Sequence, residues 1–284
     1  MVDIIATFRR ECYEYCRSSL KTTGSKVIHV PAHLQKYKLI SKALYSLLRR
    51  YNRLFNTRFL VQKRMGAFFL LDQINAVDRH LLVRGVWEAP QVAFLSQLIV
   101  ANRRAGEPLV LLDIGSHAAF YPIVLSQSIA FDRIVAYEPV PVNLAQLRAN
   151  LMLNGMLSEV EVVEKAVSNG EAKLEFIIGY DNNRGLSRIM DGTKKEKEKV
   201  IEVVATTIDG SSSYENSLIV CKIDVEGGEM KVIEGMMETI ARNRFILQIE
   251  NVATRPISQL KELLESQGCK MVHSIAYDHY FIKA

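Results

Sequence analysis

Acidic residues follow two short apolar runs in the middle of the chain. The first run ends in Asp113, Gly115 and Ser116, and the second ends in Glu138 and Pro139. Backbone amides at a strand-to-helix turn can hold a ligand, but one glycine is too few for the dinucleotide fingerprint, which needs three. Glu138 lies 25 residues after Asp113, close to the spacing at which a carboxylate binds the hydroxyls of a ribose. The motifs favour a nucleoside without a pyrophosphate, such as S-adenosylmethionine; an ordinary strand-to-helix turn and a surface glutamate without a ligand are the alternatives.

A third apolar run, over 218–224, ends in a denser group of charges. Lys222, Asp224, Glu226 and Glu229 fall within eight residues. Burying so many charges costs free energy, so their position at the end of an apolar run indicates a function. Asp224 is expected to lie near a reacting centre. Glu229 suits the first turn of a helix, where the dipole favours acidic residues, and this structural explanation is open for Glu226 as well.

Strands and helices must alternate to position these motifs. The predicted strands span 109–113, 133–138, 160–163, 218–224 and 245–250. The predicted helices span 77–82, 89–103, 121–129, 142–154, 229–241 and 257–266. This pattern is typical of an α/β protein with a parallel, doubly wound sheet. Two further strands, over 173–178 and 200–206, are inserted after the third. The last two, over 269–274 and 277–283, predict a terminal antiparallel hairpin because no helix separates them.

The motifs together resemble those of the FkbM-type S-adenosylmethionine-dependent methyltransferases. The shared motifs are D-I-G-S-H from Asp113, E-P-V-P-V-N from Glu138 and K-I-D-V-E-G-G-E from Lys222. The resemblance covers 77–284 and includes G-V-W-E at 85–88 and G-L-S at 185–187. It implies a class I methyltransferase fold, which is a Rossmann-like seven-stranded sheet with a terminal antiparallel hairpin.

The resemblance also implies a reaction and a set of cofactor contacts. Members usually methylate a hydroxyl of a sugar, a glycan or a polyketide-like product, with S-adenosylmethionine as the donor. The residues implied to bind the donor, from its methionine part through the ribose to the adenine, are Asp113, Gly115, Ser116, Asp224, Glu138, Pro139 and Ala166 within 164–167.

Three positions depart from the family's usual pattern. His117, Ala119 and Pro122 stand where Asn, Gly and Ser are usual, so the cofactor loop is bulkier here. One alternative is therefore a non-catalytic module that keeps only the nucleoside pocket. A second alternative is an RNA methyltransferase that uses the basic N-terminal segment.

Methyl transfer to an oxygen is an in-line displacement that needs help in removing the hydroxyl proton. The candidate bases are Asp224, Glu226, His117, His273 and His279. A magnesium ion would be another way to activate the hydroxyl. Asp224, Glu250 and Asn251 end two neighbouring strands and offer oxygen ligands, a layout similar to that of metal-dependent catechol-type O-methyltransferases.

A basic segment precedes this body. Residues 1–64 carry a net charge of +11, whereas the remainder carries −6. Apolar residues recur at helical spacing over 32–55, and a first helix is predicted over 3–20. The sequence therefore predicts a basic helical extension over 1–76 and a methyltransferase domain over 77–284.

Several roles are open for this extension. The simplest is a cap that buries its apolar stripe on the catalytic body or on the second subunit of a homodimer. Its positive face also favours contact with an anionic membrane surface, near a lipid-linked glycan acceptor. Nucleic acid is disfavoured because no aromatic-interleaved RNA motif accompanies the charges. No secretory signal and no apolar run of membrane-spanning length is found, so the predicted location is the cytoplasm.

Overall fold

The computed structural model describes residues 46, 47, 50, 58–178, 187–189, 199–211, 213–251 and 257–284. The helix predicted over 3–20 lies outside these residues. Of the one predicted over 32–55, Ser46, Leu47 and Arg50 are described, and all three are helical. None of the helices formed by the described residues is long and apolar enough to cross a bilayer.

The described elements follow one another in the predicted alternation. In chain order they are β1 (Phe59–Arg64), β2 (Ala67–Asp72), α1 (Ala76–Arg84), α2 (Ala89–Asn102), β3 (Leu109–Ile114), α3 (Phe120–Leu125), β4 (Arg133–Tyr137), α4 (Pro141–Leu153), β5 (Val160–Val163), β6 (Ala166–Val167), β7 (Ala172–Ile178), β8 (Arg188–Ile189), β9 (Lys199–Thr206), α5 (Ile208–Ser211), β10 (Leu218–Ile223), α6 (Glu229–Glu234), α7 (Met237–Arg242), β11 (Arg244–Glu250), α8 (Ser258–Ser266), β12 (Lys270–Ile275) and β13 (Asp278–Lys283).

Seven strands form the central sheet, in the order β12–β13–β11–β10–β3–β4–β5. The strands from β11 to β5 are parallel, whereas β13 is antiparallel to both of its neighbours. The direction in which the chain adds strands reverses between β3 and β10, and α/β sheets open a ligand crevice at such a switch point. The topology confirms the predicted α/β fold, a Rossmann-like seven-stranded sheet with a terminal antiparallel hairpin.

The side chains of β3 alternate between two hydrophobic cores. Leu109 and Leu111 pack on one face of the sheet with Leu95 of α2. Leu112 packs on the opposite face with Leu264 of α8. Every residue of β3 and of β10 is buried. Strands covered on both faces appear in a sequence as continuous apolar runs, which is why these two were predicted within one residue of their ends.

The helix predicted over 229–241 is two helices, α6 and α7, which are separated at Gly235. A Cβ atom at Gly235 would lie 2.0 Å from the backbone oxygen of Ser168. The chain therefore needs a glycine where it passes the β6 end, and the helix stops there. Helix α3 is also shorter than predicted, because beyond Leu125 the chain turns, with Ser128 and Ile129 donating to the Leu125 carbonyl oxygen.

A smaller sheet of four strands, in the order β6–β9–β7–β8, lies between β5 and β10 in the sequence. Strands β7 and β9 pair antiparallel along their whole length, and they correspond to the inserted strands predicted over 173–178 and 200–206. Phe176 and Ile189 of this sheet reach the cavity described below.

The β1–β2 hairpin packs against the central domain. Phe69 and Leu71 of β2 are buried in the same cluster as Leu109 of the central sheet. Asn150 of α4 accepts a hydrogen bond from the Leu70 backbone amide at 2.7 Å. The domain boundary between residues 76 and 77 stays a prediction; this hairpin, which precedes the boundary, shares its core with the elements that follow.

Candidate active site

The carboxyl ends of β3, β4 and β10 open into one cavity of about 280 Å³. The three sequence motifs therefore meet at one edge of the sheet. All the residues predicted to bind the cofactor, and three of the five candidate bases, line this cavity: Asp113, Gly115, Ser116, His117, Glu138, Pro139, Ala166, Asp224 and Glu226. Ala166 approaches from the small sheet, together with Val167 and Phe176.

Gly115 holds two of these motifs against each other. Its φ is +82°, and a Cβ atom there would lie 1.8 Å from the backbone oxygen of Asp224. The Asp224 amide in turn donates to the Ile114 carbonyl oxygen at 2.9 Å. The glycine was predicted to let a ligand approach the backbone; the structure shows that it also lets the loop after β10 approach the loop after β3.

We expect Gly115→Ala to lower the free energy of unfolding by about 3 kcal/mol, through positive φ and overlap with the Asp224 carbonyl. Denaturant unfolding measures this change. Gly268→Ala is the matched control, because Gly268 has a φ of +81° but open space around its Cβ position; its expected loss is ~1 kcal/mol. Equal losses in the two variants would show that the contact with Asp224 is unimportant.

Glu138 lines the cavity at the carboxyl end of β4, and it is buried. Its carboxylate accepts hydrogen bonds from the backbone amides of Val140 at 2.8 Å and His117 at 2.9 Å, and from Asn143 Nδ2 at 3.3 Å. Burial raises the pKa of Glu138 to about 7 although these donors oppose the shift. Asn143 Oδ1 is also buried, lines the same cavity and has no hydrogen-bond partner among the described residues. Two oxygen acceptors at this end thus fit the two hydroxyls of a ribose.

Asp113 and Ser116 line the same cavity at the carboxyl end of β3. Ser116 Oγ donates to Asp113 Oδ2 at 2.5 Å, and both residues are buried. Burial raises the pKa of Asp113 to about 6, against the opposing effects of the Ser116 hydrogen bond and the Lys222 charge. A carboxyl in this position can bind an ammonium group, such as that of the methionine part of the donor.

Asp224 and Glu250 form a hydrogen-bonded carboxyl pair at the tips of β10 and β11. Burial raises the pKa of each to about 7. The two carboxyls therefore titrate as a pair near neutral pH, and an ionised oxygen of the pair can accept a proton there.

Lys222 supplies the positive charge beside this pair. Its Nζ lies 3.2 Å from Asp278 Oδ1, 3.6 Å from Glu250 Oε2 and 3.9 Å from Asp224 Oδ2. Burial alone would lower the pKa of Lys222, but these carboxylates hold it well above its usual value. A buried ammonium ion surrounded in this way stays charged.

Glu88 is a cavity residue for which the sequence suggested no role, although it ends the G-V-W-E motif at 85–88. It accepts a hydrogen bond from the Tyr121 hydroxyl at 2.7 Å. Gln248 Nε2 donates to the Tyr121 oxygen at 2.6 Å and to Asp278 Oδ1 at 2.8 Å. The network therefore runs from Glu88 through the core to the ion pair of Lys222.

The remaining predicted residues lie apart from the cavity. His273 packs on Phe94, with ring centroids 4.7 Å apart, and His279 Nδ1 lies 2.8 Å from Ser274 Oγ. Both histidines belong to the terminal hairpin and are absent from the described cavity lining. Asn251 is absent from it as well.

The predicted magnesium ligands do not fit a metal ion in this structure. The described residues contain no group of three or more His, Cys, Asp or Glu side chains arranged to hold one. Of the predicted ligands, Asp224 and Glu250 bond to each other and face the Lys222 ammonium, which occupies the position of a neutralising cation. No step of the reaction is assigned to magnesium here.

Comparisons with known proteins identify the relatives of this chain. The sequence model described as "Methyltransferase FkbM domain" matches residues 113–271, more than half of the chain. "Methyltransferase sdnD" of Sordaria araneosa is 24% identical over 193 residues, which cover 56% of this chain and 72% of that protein. Similar solved structures include a human methyltransferase 10 domain containing protein, with a TM-score of 0.47 and 11% identity over 85% of this chain and 95% of the other. Another is the N-terminal domain of human METTL16 in complex with SAH, with a TM-score of 0.42 and 13% identity over 84% of this chain and 92% of the other.

The match to the family model over more than half of the chain shows the family. The chain belongs to the FkbM family of S-adenosylmethionine-dependent methyltransferases.

Proposed function

We propose that this protein is an O-methyltransferase, which moves the methyl group of S-adenosylmethionine to a hydroxyl of a sugar, glycan or polyketide-like acceptor. The observation that carries the proposal is the Asp224–Glu250 carboxyl pair, which lines the same cavity as the ribose-type acceptors Glu138 and Asn143. A hydroxyl needs a proton acceptor at the reacting centre, and this pair provides one.

The residues that line the cavity offer contacts for each part of the donor. Glu138 and Asn143 would accept hydrogen bonds from the ribose hydroxyls, and Asp113 with Ser116 would bind the methionine part. Ala166, with its apolar neighbours on the small sheet, would flank the adenine. Bound S-adenosylmethionine supplies an electrophilic methyl carbon.

Asp224 acts as the general base in this proposal. The proton of the acceptor hydroxyl would pass to Asp224 as the acceptor oxygen is methylated, and S-adenosylmethionine held in the cavity would supply the methyl carbon. Lys222, 3.9 Å from Asp224 Oδ2, keeps one carboxylate of the group ionised. Glu226 also lines the cavity, and its charge favours the protonated form of Asp224. A catalytic role for the His117 imidazole stays a prediction.

We expect the rate of methyl transfer to rise with pH through about 7, the raised pKa of Asp224. The base must be ionised, and below this pKa the carboxyl pair holds its protons, so acid suppresses the reaction. Initial rates of labelled-methyl transfer between pH 5.5 and 8.5 measure the profile. A rate that is flat or falls across this range would contradict the role of Asp224.

The test of the proposal is transfer of labelled methyl from S-adenosylmethionine to fractionated cell extracts, with mass spectrometry of the labelled product. The expected product is a base-stable methyl ether on a hydroxylated small molecule or glycan. Label in an amine, in a base-labile ester or in RNA would contradict O-methylation of such an acceptor. Binding of the donor without transfer to any fraction would favour the non-catalytic module.

A further inference from the structure

The cavity is lined by more acidic than basic side chains, although the whole chain carries a net charge of +5. Its described lining includes seven carboxylate side chains and two lysines: Asp78, Glu88, Asp113, Glu138, Asp224, Glu226 and Glu250 against Lys165 and Lys222. An excess of one sign inside a concave, low-dielectric site attracts ligands of the opposite sign. The cavity therefore favours a cationic ligand.

The excess is concentrated around Lys222. Its ammonium is closest to Asp278, at 3.2 Å, and its single positive charge can balance that one carboxylate. Glu250 and Asp224 lie further from the ammonium and face the cavity. Glu88 joins the group through Tyr121 and Gln248. A single lysine thus leaves negative charge beside the cavity that a ligand can neutralise.

We propose that the carboxylates around Lys222 recognise the positive charge of the donor's sulfonium, so that the cavity binds S-adenosylmethionine more tightly than S-adenosylhomocysteine. This inference rests on the proposed function. The two molecules share the adenosine and the amino-acid group, so the methyl and its sulfonium charge are the only difference between them.

This selectivity would aid release of the spent donor. Methyl transfer leaves the sulfur neutral, because it keeps the electron pair of the broken carbon–sulfur bond. The acceptor's proton moves to Asp224 in the same step, so the carboxylate charge that attracted the sulfonium is neutralised as well. The positive charge of the donor and the negative charge of Asp224 are thus lost in the same step. The neutral thioether therefore dissociates more readily than the sulfonium would.

The selectivity must depend on pH, because the carboxyl pair gains negative charge as it loses protons. Each member has a pKa raised to about 7 by burial. The charged groups that act on the pair come from four elements or loops: Lys222 on β10, Glu226 in the loop after β10, Asp278 on β13 and Glu88 before α2. Of these, Lys222 is the one positive charge.

The test is titration calorimetry of the full chain with S-adenosylmethionine and with S-adenosylhomocysteine, at pH 6 and pH 8. We expect the Kd of S-adenosylhomocysteine divided by the Kd of S-adenosylmethionine to exceed one at pH 8. This ratio is expected to be about tenfold higher at pH 8 than at pH 6. A ratio that does not change with pH, or tighter binding of the homocysteine form at pH 8, would overturn the inference. If neither compound binds, the proposed function itself fails.

Variants locate the effect. Asp224→Asn and Glu250→Gln each remove one carboxylate without changing side-chain size, and each is expected to lower the ratio at pH 8 by about threefold or more. Binding of S-adenosylhomocysteine should stay within about twofold, since its neutral sulfur does not use the charge. Glu262→Gln, at an exposed position of α8, is the matched control and should keep the wild-type ratio. Wild-type ratios in both site variants would overturn the inference, and the wild-type pH series decides it if either variant fails to fold.

Discussion

Asp224→Asn is expected to abolish methyl transfer, with a loss of about 10²–10⁴-fold, while the protein still folds and still binds S-adenosylmethionine. The amide keeps the size of the carboxylate and can still hydrogen-bond with Glu250, but it cannot take a proton from a hydroxyl. The measurement is the initial rate of labelled-methyl transfer, with calorimetry on the same preparation to establish donor binding.

Glu226→Gln is the control for this variant. Glu226 also lines the cavity and also follows β10, so its change tests whether any neighbouring carboxylate would serve. We expect it to keep the rate within about tenfold of wild type, because Asp224 remains as the base. A wild-type rate in Asp224→Asn together with a large loss in Glu226→Gln would move the base to Glu226.

Glu138→Ala is expected to weaken binding of S-adenosylmethionine about 100-fold, equivalent to ~2.7 kcal/mol. The variant removes the acceptor for the ribose hydroxyls, and it leaves the buried amides of His117 and Val140 without their carboxylate partner. Calorimetric titration measures the change in Kd.

The matched control is Glu164→Ala, which removes a carboxylate from the segment predicted to flank the adenine. The Glu164 side chain is 56% exposed and pairs with Arg148 at the surface, so the variant should bind the donor within about twofold of wild type. Similar losses in the two variants would argue against a specific ribose contact at Glu138.

The fold was largely predictable because its strands are buried on both faces. The runs at β3 and β10 are apolar except for Asp113 and Lys222 near their ends, and they alternate with helical stretches, so a parallel sheet follows from local patterns. The break at Gly235 was not predictable. It depends on the backbone of Ser168, which lies far away in the sequence and comes near only after the small sheet has formed.

The cofactor end of the site was predictable for a similar reason. Asp113, Gly115 and Glu138 each follow a recognisable strand, and parallel strands present their carboxyl ends at one edge. The network around Lys222 was not, because it depends on the register of the sheet. Lys222 lies beside Gln248 of β11, and Glu250 lies opposite Asp278 of β13. Neither pairing leaves a signal in the local sequence.

The magnesium hypothesis lacks support for the same reason. From the sequence, Asp224 and Glu250 offer oxygen ligands at neighbouring strand tips. In the structure, the ammonium of Lys222 lies within 4 Å of both, at 3.9 and 3.6 Å. The pairing of β10 with β11 sets where the Lys222 side chain lies. It places the Lys222 ammonium beside these carboxylates, so a cation is already present there.

A crystal structure of the protein with S-adenosylhomocysteine tests the central claim most directly. We predict ribose hydroxyls within hydrogen-bond distance of Glu138 and Asn143, and the sulfur facing Asp224. A thioether bound in a different cavity, or a ribose with no contact to Glu138, would contradict the account.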